Sequence, residues 1–570
     1  MKCETVFAQS GRREPCHEAM VEGHRLLESP APARINPKRK DKEMTATRHM
    51  GRLRCLALAL ASACAALTAS TPALAAPPAQ PNIVMIMTDD VGWGDLGSYG
   101  GGTMRGAPTP NLDRMAAEGM RFLNYYGQAS CTAGRASFIT GRQPIRTSLS
   151  SVLVPGDPNG LTKQTPTVAE FLKKAGYTTV QLGKWHLGDK PENYPTAHGF
   201  DEMYDMLAYY AGVYAYSNRD LHADWPAHDA AFQKVWDRLN VSMVEQKAGQ
   251  PVKVVKQKFT YEDLATADDN MRAKAVDWIK AHAKDQHPFF MYLNFLKVHN
   301  PNNPSPRWKG KSPGGGNYLD SLMELDDNSG QIVQAIRDLG IAENTLVIWT
   351  TDNGAWVDAW PDAGYTPFRG EKGTPFEGGF RVPAIAWWPG HIKPGSVNTD
   401  MFSHMDWWPT FASLGGETPP PHEWKDNEGK PIIFDGIDLS DSLLGKGPGK
   451  RTDFIYFSGQ SFGAVRVKNF KAVYTAQDTW LGPQRSMKAP AIYDLQWDPR
   501  EQFDMAFNGA MPTGGNQTSP GRYSGADNGW VGLYMIPVMT RFFEELKTHP
   551  NLPYMPFGEG RYLAIPEQYR

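Results

Sequence analysis

The chain has 570 residues, enough for one large catalytic body with an appendage. Its 59 basic and 61 acidic residues leave a formal net charge of −2, which excludes the overall basic footprint of a nucleic-acid-binding protein. One long apolar run stands near the N-terminus, and no second one follows to anchor the body in a membrane.

Arg48, Arg52 and Arg54 precede the run over 55–67, which is almost wholly Ala, Leu, Ser and Cys. That run is too short to span a bilayer comfortably, and Ala73-Leu74-Ala75 supplies the small residues of a cleavage site. Residues 1–75 therefore read as an upstream extension and an export signal. The leader proper covers about 44–75 and starts at Met44 or Met50. The expectation is a periplasmic or secreted protein, with no membrane contact after cleavage. Cysteines stand at 3, 16, 55, 64 and 131, so the processed chain keeps Cys131 alone, without a disulfide partner.

From Pro81 onward strand and helix patterns alternate. Asn82-Ile83-Val84-Met85-Ile86-Met87 is a continuous apolar run, expected for a strand covered on both faces, and it ends in Thr88-Asp89-Asp90. A glycine-rich loop over 92–106 follows. Thr109-Pro110-Asn111 then opens a helix that Gly119 closes. Residues 134–140 suit a short helix ending at Gly141. Cys131 stands just ahead of it, where free N–H groups and the positive dipole end favour an anion. Thr167-Val168-Ala169-Glu170 is a capping box, and residues 177–182 form the next strand, with Lys184 and His186 at its end. Residues 200–262 are rich in Tyr, Trp and Asp, lack a clean period, and read as an insertion over the site. A helix over about 261–283 leads to a strand at 289–294 that delivers Lys297 and His299. Another helix, about 318–339, follows the exposed turn Gly314-Gly315-Gly316 and precedes the strand 346–350, which ends in Asp352-Asn353-Gly354.

This alternation predicts an α/β fold, a mostly parallel central sheet flanked by helices. Four apolar runs finish in polar groups: Asp89 and Asp90, Lys184 and His186, His299, and Asp352 with Asn353. The carboxyl ends of parallel strands line one edge, so these groups predict one site. Asp89, Asp90, Asp352 and Asn353 are hard oxygen donors, a set that suits Ca²⁺ or Mg²⁺ rather than zinc.

The segment Cys131-Thr132-Ala133-Gly134-Arg135, followed by Thr140-Gly141-Arg142, resembles the signature of the sulfatase family. Ala133 stands where many members carry proline. Further matches follow in order: Lys184 and His186, Phe368-Arg369-Gly370-Glu371-Lys372-Gly373, Gly379-Phe380-Arg381-Val382-Pro383, and Ser403-His404-Met405-Asp406. A fainter one lies at Ile492-Tyr493-Asp494-Leu495.

The resemblance implies an alkaline-phosphatase-like catalytic domain over 76–446 and a smaller C-terminal α+β domain with an antiparallel sheet over 447–570. It implies an arylsulfatase-like hydrolase of small-molecule or glycan sulfate esters. A maturation enzyme would convert Cys131 to formylglycine, and Asp89, Asp90, Asp352 and Asn353 would hold a calcium ion beside residue 131. Arg135 would orient the formylglycine, and His186 would act as base. Lys184 and Lys372 would bind sulfate oxygens, and His299 would contact the bridging oxygen and protonate the leaving group. Two other readings remain open on the residues: a formylglycine-dependent phosphonate or phosphodiester hydrolase, and a non-catalytic, calcium-bound, glycan-binding periplasmic protein.

Overall fold

The computed structural model describes residues 80–209, 242–505 and 530–555. The expected leader, the middle of the expected insertion and the Gly/Asn/Ser-rich stretch before residue 530 lie outside them. Ten strands form one sheet: β1 (Asn82–Thr88), β2 (Met120–Tyr126), β3 (Thr178–Lys184), β4 (Glu202–Leu207), β5 (Met243–Lys247), β6 (Lys253–Lys256), β7 (Phe289–Asn294), β8 (Thr345–Thr351), β9 (Ala384–Trp387) and β10 (Ser396–Ser403). Their spatial order is β10-β2-β9-β8-β1-β7-β3-β4-β5-β6. The central strands β8, β1, β7, β3 and β4 pair parallel. β9 runs against both of its neighbours, and β5 runs against β4 and β6.

The continuous apolar character of β1 has a direct cause. Ile83, Met85 and Met87 enter one core with Phe290 and Tyr292, while Val84 and Ile86 enter the opposite core with Met291 and Leu293. Period-two alternation thus feeds both faces, and neither face can be polar. Seven helices bear on the argument: α1 (Pro110–Glu118), α2 (Cys131–Thr140), α3 (Val168–Lys174), α4 (Tyr261–His282), α5 (Asn317–Asp338), α6 (Trp407–Leu414) and α7 (Trp530–Thr548). α2, α3 and α6 cover the first face through Phe138, Leu172 and Phe411. α1, α4 and α5 cover the second through Met115, Met271 and Leu325. The capping box of α3 forms as expected, with Thr167 and Glu170 bonding each other's backbone N–H.

Three details differ from the sequence reading. The helix after Ser130 begins at Cys131 itself, because nothing in Cys-Thr-Ala resists helical dihedrals and Gly134 N–H bonds the Ser130 carbonyl at 2.8 Å. The described flanks of the expected insertion are strands β4, β5 and β6, which extend one edge of the main sheet. They are short, and β6 is Lys-Val-Val-Lys, exposed throughout and closed by lysines as edge strands often are, so no long apolar period marks them. Lys297 turns away from the sheet edge into a buried ion pair with Glu324.

A small hairpin, β11 (Glu423–Lys425) with β12 (Pro431–Ile433), precedes a second sheet. Its strands β13 (Asp453–Ser458), β14 (Ser461–Val467), β15 (Phe470–Ala476) and β16 (Arg485–Asp494) pair antiparallel in sequence order. Phe454 and Tyr456 point toward Tyr126 and Phe380 of the main body, whereas Ile455 and Phe457 meet Val531, Met535 and Phe542 of α7. Among the described residues no helix is long and apolar enough to cross a membrane.

Candidate active site

The carboxyl ends of β1, β8, β3 and β7 meet the N-terminus of α2. Asp89 and Asp90 follow β1, and Asp352 and Asn353 follow β8. Lys184 ends β3 with His186 two residues on, and Asn294 ends β7. α2 can press against the end of β8 only through glycine: a Cβ on Gly134 would fall 2.1 Å from the Asp352 carbonyl oxygen. Asp90 (φ 59°) and His186 (φ 61°) both sit in the left-handed region, which non-glycine residues enter at a cost.

Ligand atoms of Asp89, Asp90, Cys131 and Asp352 lie within 4.8 Å of one another, and those of Asp89, Cys131 and His299 do likewise. The Cys131 sulfur is 3.4 Å from Asp89 Oδ1. Burial, then Asp352 and Asp89, push the thiol well above its ordinary range. Burial and the two carboxylates thus work against the pull of the helix N-terminus toward an anion and favour the neutral thiol. Arg135, one turn along α2, donates to Asp352 Oδ2 at 2.8 Å and Asp89 Oδ2 at 3.0 Å from one nitrogen, and to Asn294 Oδ1 at 2.8 Å from the other. Burial opposes its charge, but Asp352 and Asp89 hold the guanidinium firmly protonated.

Lys184 Nζ lies 2.6 Å from Asp89 Oδ2, and Lys372 Nζ lies 2.8 and 2.9 Å from the two Asp90 oxygens. Even so, burial pushes the Asp90 carboxyl up to about 6. His186 Nε2 donates to the Leu153 carbonyl at 3.0 Å, which leaves Nδ1 as the lone-pair nitrogen, buried without a hydrogen-bond partner. Burial, then Lys184, keep that ring neutral. His299 donates from Nδ1 to the Asn300 carbonyl at 2.5 Å, and its Nε2 lies 3.6 Å from Asp90 Oδ2. Burial, then Lys372, also hold it neutral.

Asp89, Asp90, Cys131, Arg135, Lys184, His186, His299, Asp352 and Lys372 thus stand at this one sheet edge, and Lys297 does not. Asn353 joins through Nδ2, which donates to Asp90 Oδ1 at 2.7 Å, while its Oδ1 is buried with no partner. An orphaned amide oxygen beside three converging carboxylates fits a hard divalent cation. Two residues were not assigned a part from the sequence. Asn294 anchors Arg135, and its place at the end of an apolar strand was the available signal. His404, within the matched segment Ser403-His404-Met405-Asp406, bonds the Thr351 carbonyl at 3.1 Å and Tyr125 Oη at 2.8 Å behind β8, a part visible only in three dimensions.

A model of the sulfatase family matches residues 81–417. N-acetylgalactosamine-6-sulfatase of Mus musculus is 34% identical over 466 residues, spanning 76% of this chain and 83% of that protein. Arylsulfatase A of Homo sapiens is 35% identical over 488 residues, spanning 80% and 87%. Among solved structures, the PsFucS1 sulfatase from Pseudoalteromonas sp. superposes with a TM-score of 0.74 at 31% identity, covering 83% of this chain and 92% of that one. With its mixed ten-stranded sheet, flanking helices and small antiparallel sheet, the chain belongs to the sulfatase family. It is a sulfuric ester hydrolase.

Proposed function

We propose that this chain cleaves sulfate esters through a formylglycine made from Cys131, beside Ca²⁺ or Mg²⁺ held by Asp89, Asp90, Asp352 and Asn353. The proposal includes a catalytic domain over 76–446, a smaller domain over 447–570, and export through the leader to the periplasm or beyond. The observation that carries it is the convergence of Cys131 with three carboxylates within 4.8 Å, ringed by Arg135, Lys184 and Lys372. A neutral buried thiol is a poor nucleophile, and its conversion to a hydrated aldehyde beside a cation would supply both an attacking hydroxyl and charge to offset the sulfate oxygens.

The remaining work falls to side chains of this chain. Arg135 ties Asp89 and Asp352 together and so fixes the donor set around residue 131. Lys184 and Lys372, held at Asp89 and Asp90, present ammonium protons to sulfate oxygens. His186 offers its Nδ1 lone pair as proton acceptor. His299 brings Nε2 to the leaving oxygen; the incoming anion offsets the two lysines and raises that ring's affinity for a proton. Cys131 is 1% exposed and α2 is buried along its whole length, so the maturation enzyme acts before this segment folds.

The test is the mass of the peptide containing residue 131 from enzyme of measured activity, with elemental analysis of the same sample. Loss of the thiol, gain of an aldehyde and one calcium or magnesium per chain are expected. Full activity from an unmodified cysteine would overturn the proposal.

A further inference from the structure

Two tryptophans from separate parts of the chain meet beside the catalytic cluster. Trp356, four residues beyond Asp352, packs against His299 with ring centroids 5.5 Å apart. Trp480, from the loop between β15 and β16, packs edge-on against Trp356 at 4.8 Å and 81°. Lys372 Nζ lies 4.9 and 4.8 Å from the two ring centroids, and both indoles keep part of their surface exposed.

This corner is built rather than incidental. The buried Glu371 carboxylate, next to Lys372, accepts from Asp358 N–H at 2.7 Å and from Trp480 N–H at 3.2 Å. One side chain therefore ties both tryptophan-bearing loops together. A Cβ at position 373 would fall 2.0 Å from the Trp480 ring, so glycine there makes room for the indole.

The corner lies on the His299 side of the site. This step rests on the proposed role of His299: if its Nε2 faces the leaving oxygen, the group attached to that oxygen runs out along Trp356 and Trp480. Planar polar groups stand close by. Asp478, exposed, bridges Arg485 at 2.6 Å and Arg369 at 3.3 Å. Gln484, also exposed, bonds Gln477, which in turn bonds the Trp480 carbonyl. An aliphatic tail would use only the indoles. A sugar ring offers a C–H face for the tryptophans and edge hydroxyls for the polar groups, so it uses both.

We infer that Trp356 and Trp480 seat the sugar ring bearing the sulfate, so that the C-terminal sheet, through Trp480, sets leaving-group specificity. The experiment compares Trp480→Ala and Trp480→Phe with wild type on a hexose 6-sulfate, 4-nitrophenyl sulfate and hexyl sulfate. Trp480→Ala is expected to raise KM for the hexose sulfate about three- to tenfold, with hexyl sulfate losing at least about threefold less, and Trp480→Phe to recover most of the difference. An equal loss on all three esters would mean a disturbed Lys372 and overturn the inference. A loss confined to the nitrophenyl ester would overturn the sugar as occupant. Wild-type enzyme that splits none of the three would instead overturn the proposed function, and the inference with it.

Discussion

At the edge of the main sheet, Asp89, Asp90 and Asp352 converge around Cys131; behind β2, Glu377 and Glu501 converge on Lys471. Both clusters are buried and mix carboxylates with cations, yet their electrostatics differ. Glu377 accepts from Tyr126 Oη at 2.6 Å and Tyr456 Oη at 2.8 Å. Burial works against its charge, but Lys471, Arg466 and Arg381 hold it below the usual carboxylate range. Asp90 goes the other way, because burial outweighs Lys372. The orphaned Asn353 Oδ1 and His186 Nδ1 complete the contrast. In the cluster behind β2 burial pushes the second carboxyl, Glu501, up to about 7, so Glu377 alone stays firmly charged there, and the ion pairs with Lys471 lock the small sheet to the body. The sheet-edge cluster has lone pairs left over, at Asn353 Oδ1 and His186 Nδ1, which the proposed cation and proton transfer would use.

That contrast can be broken experimentally. Cys131→Ala is expected to lower turnover at least about 10⁴-fold with little change in melting temperature, since a nucleophile is lost and only a small side-chain volume is removed. Retention of a tenth of the activity would remove residue 131 from the chemistry. Asp352→Ala should reduce turnover about 10³-fold and strip bound calcium or magnesium, as elemental analysis would show; unchanged metal content would count against the oxygen ligand set. Lys471→Met should do the opposite: about 3–5 kcal/mol of stability lost by leaving two buried glutamates without their shared cation, with turnover by the folded fraction nearly intact. Denaturant unfolding with parallel kinetics separates the two, and a specific activity that collapsed without loss of stability would erase the distinction.

Smaller effects sharpen it further. His299→Ala should cost about 10²-fold on alkyl sulfates and much less on nitrophenyl sulfate, whose leaving group needs no proton. Equal losses across leaving groups would argue against proton donation.

His198, outside both clusters, is a single buried ring that burial holds down at about 4, against an ordinary 6.5. Folding favours its neutral form, so its contribution is whole above about pH 6.5 and is lost as pH falls toward 4, up to about 3 kcal/mol. Melting temperatures from pH 4 to 7 for wild type and His198→Gln should diverge in slope across that window, and parallel curves would discount the assignment.

Much of the site was legible because its residues punctuate strong patterns. Asp89, Asp90, Asp352 and Asn353 end apolar runs that can only be buried strands, and Cys131 and Arg135 sit one helical turn apart in a distinctive motif. Strands β4 to β6 were not legible, since they are short and interleave Lys, Glu and Asp with their apolar residues, leaving no clean period to read. Asn294 ends an apolar run and His404 stands in a matched segment, but their anchoring parts were hidden, because a hydrogen bond to a distant residue leaves no mark on local periodicity.

The amino-acid order by itself determined the alternating α/β plan, the strand-end polar groups and the lone thiol, because each follows from local periodicity or composition. Only the tertiary structure decided that burial favours the neutral thiol, that Lys297 serves Glu324, and that a tryptophan from the loop between β15 and β16 packs beside Lys372. Those outcomes depend on burial and on contacts between residues from 27 to more than a hundred positions apart, and no local stretch of sequence encodes either.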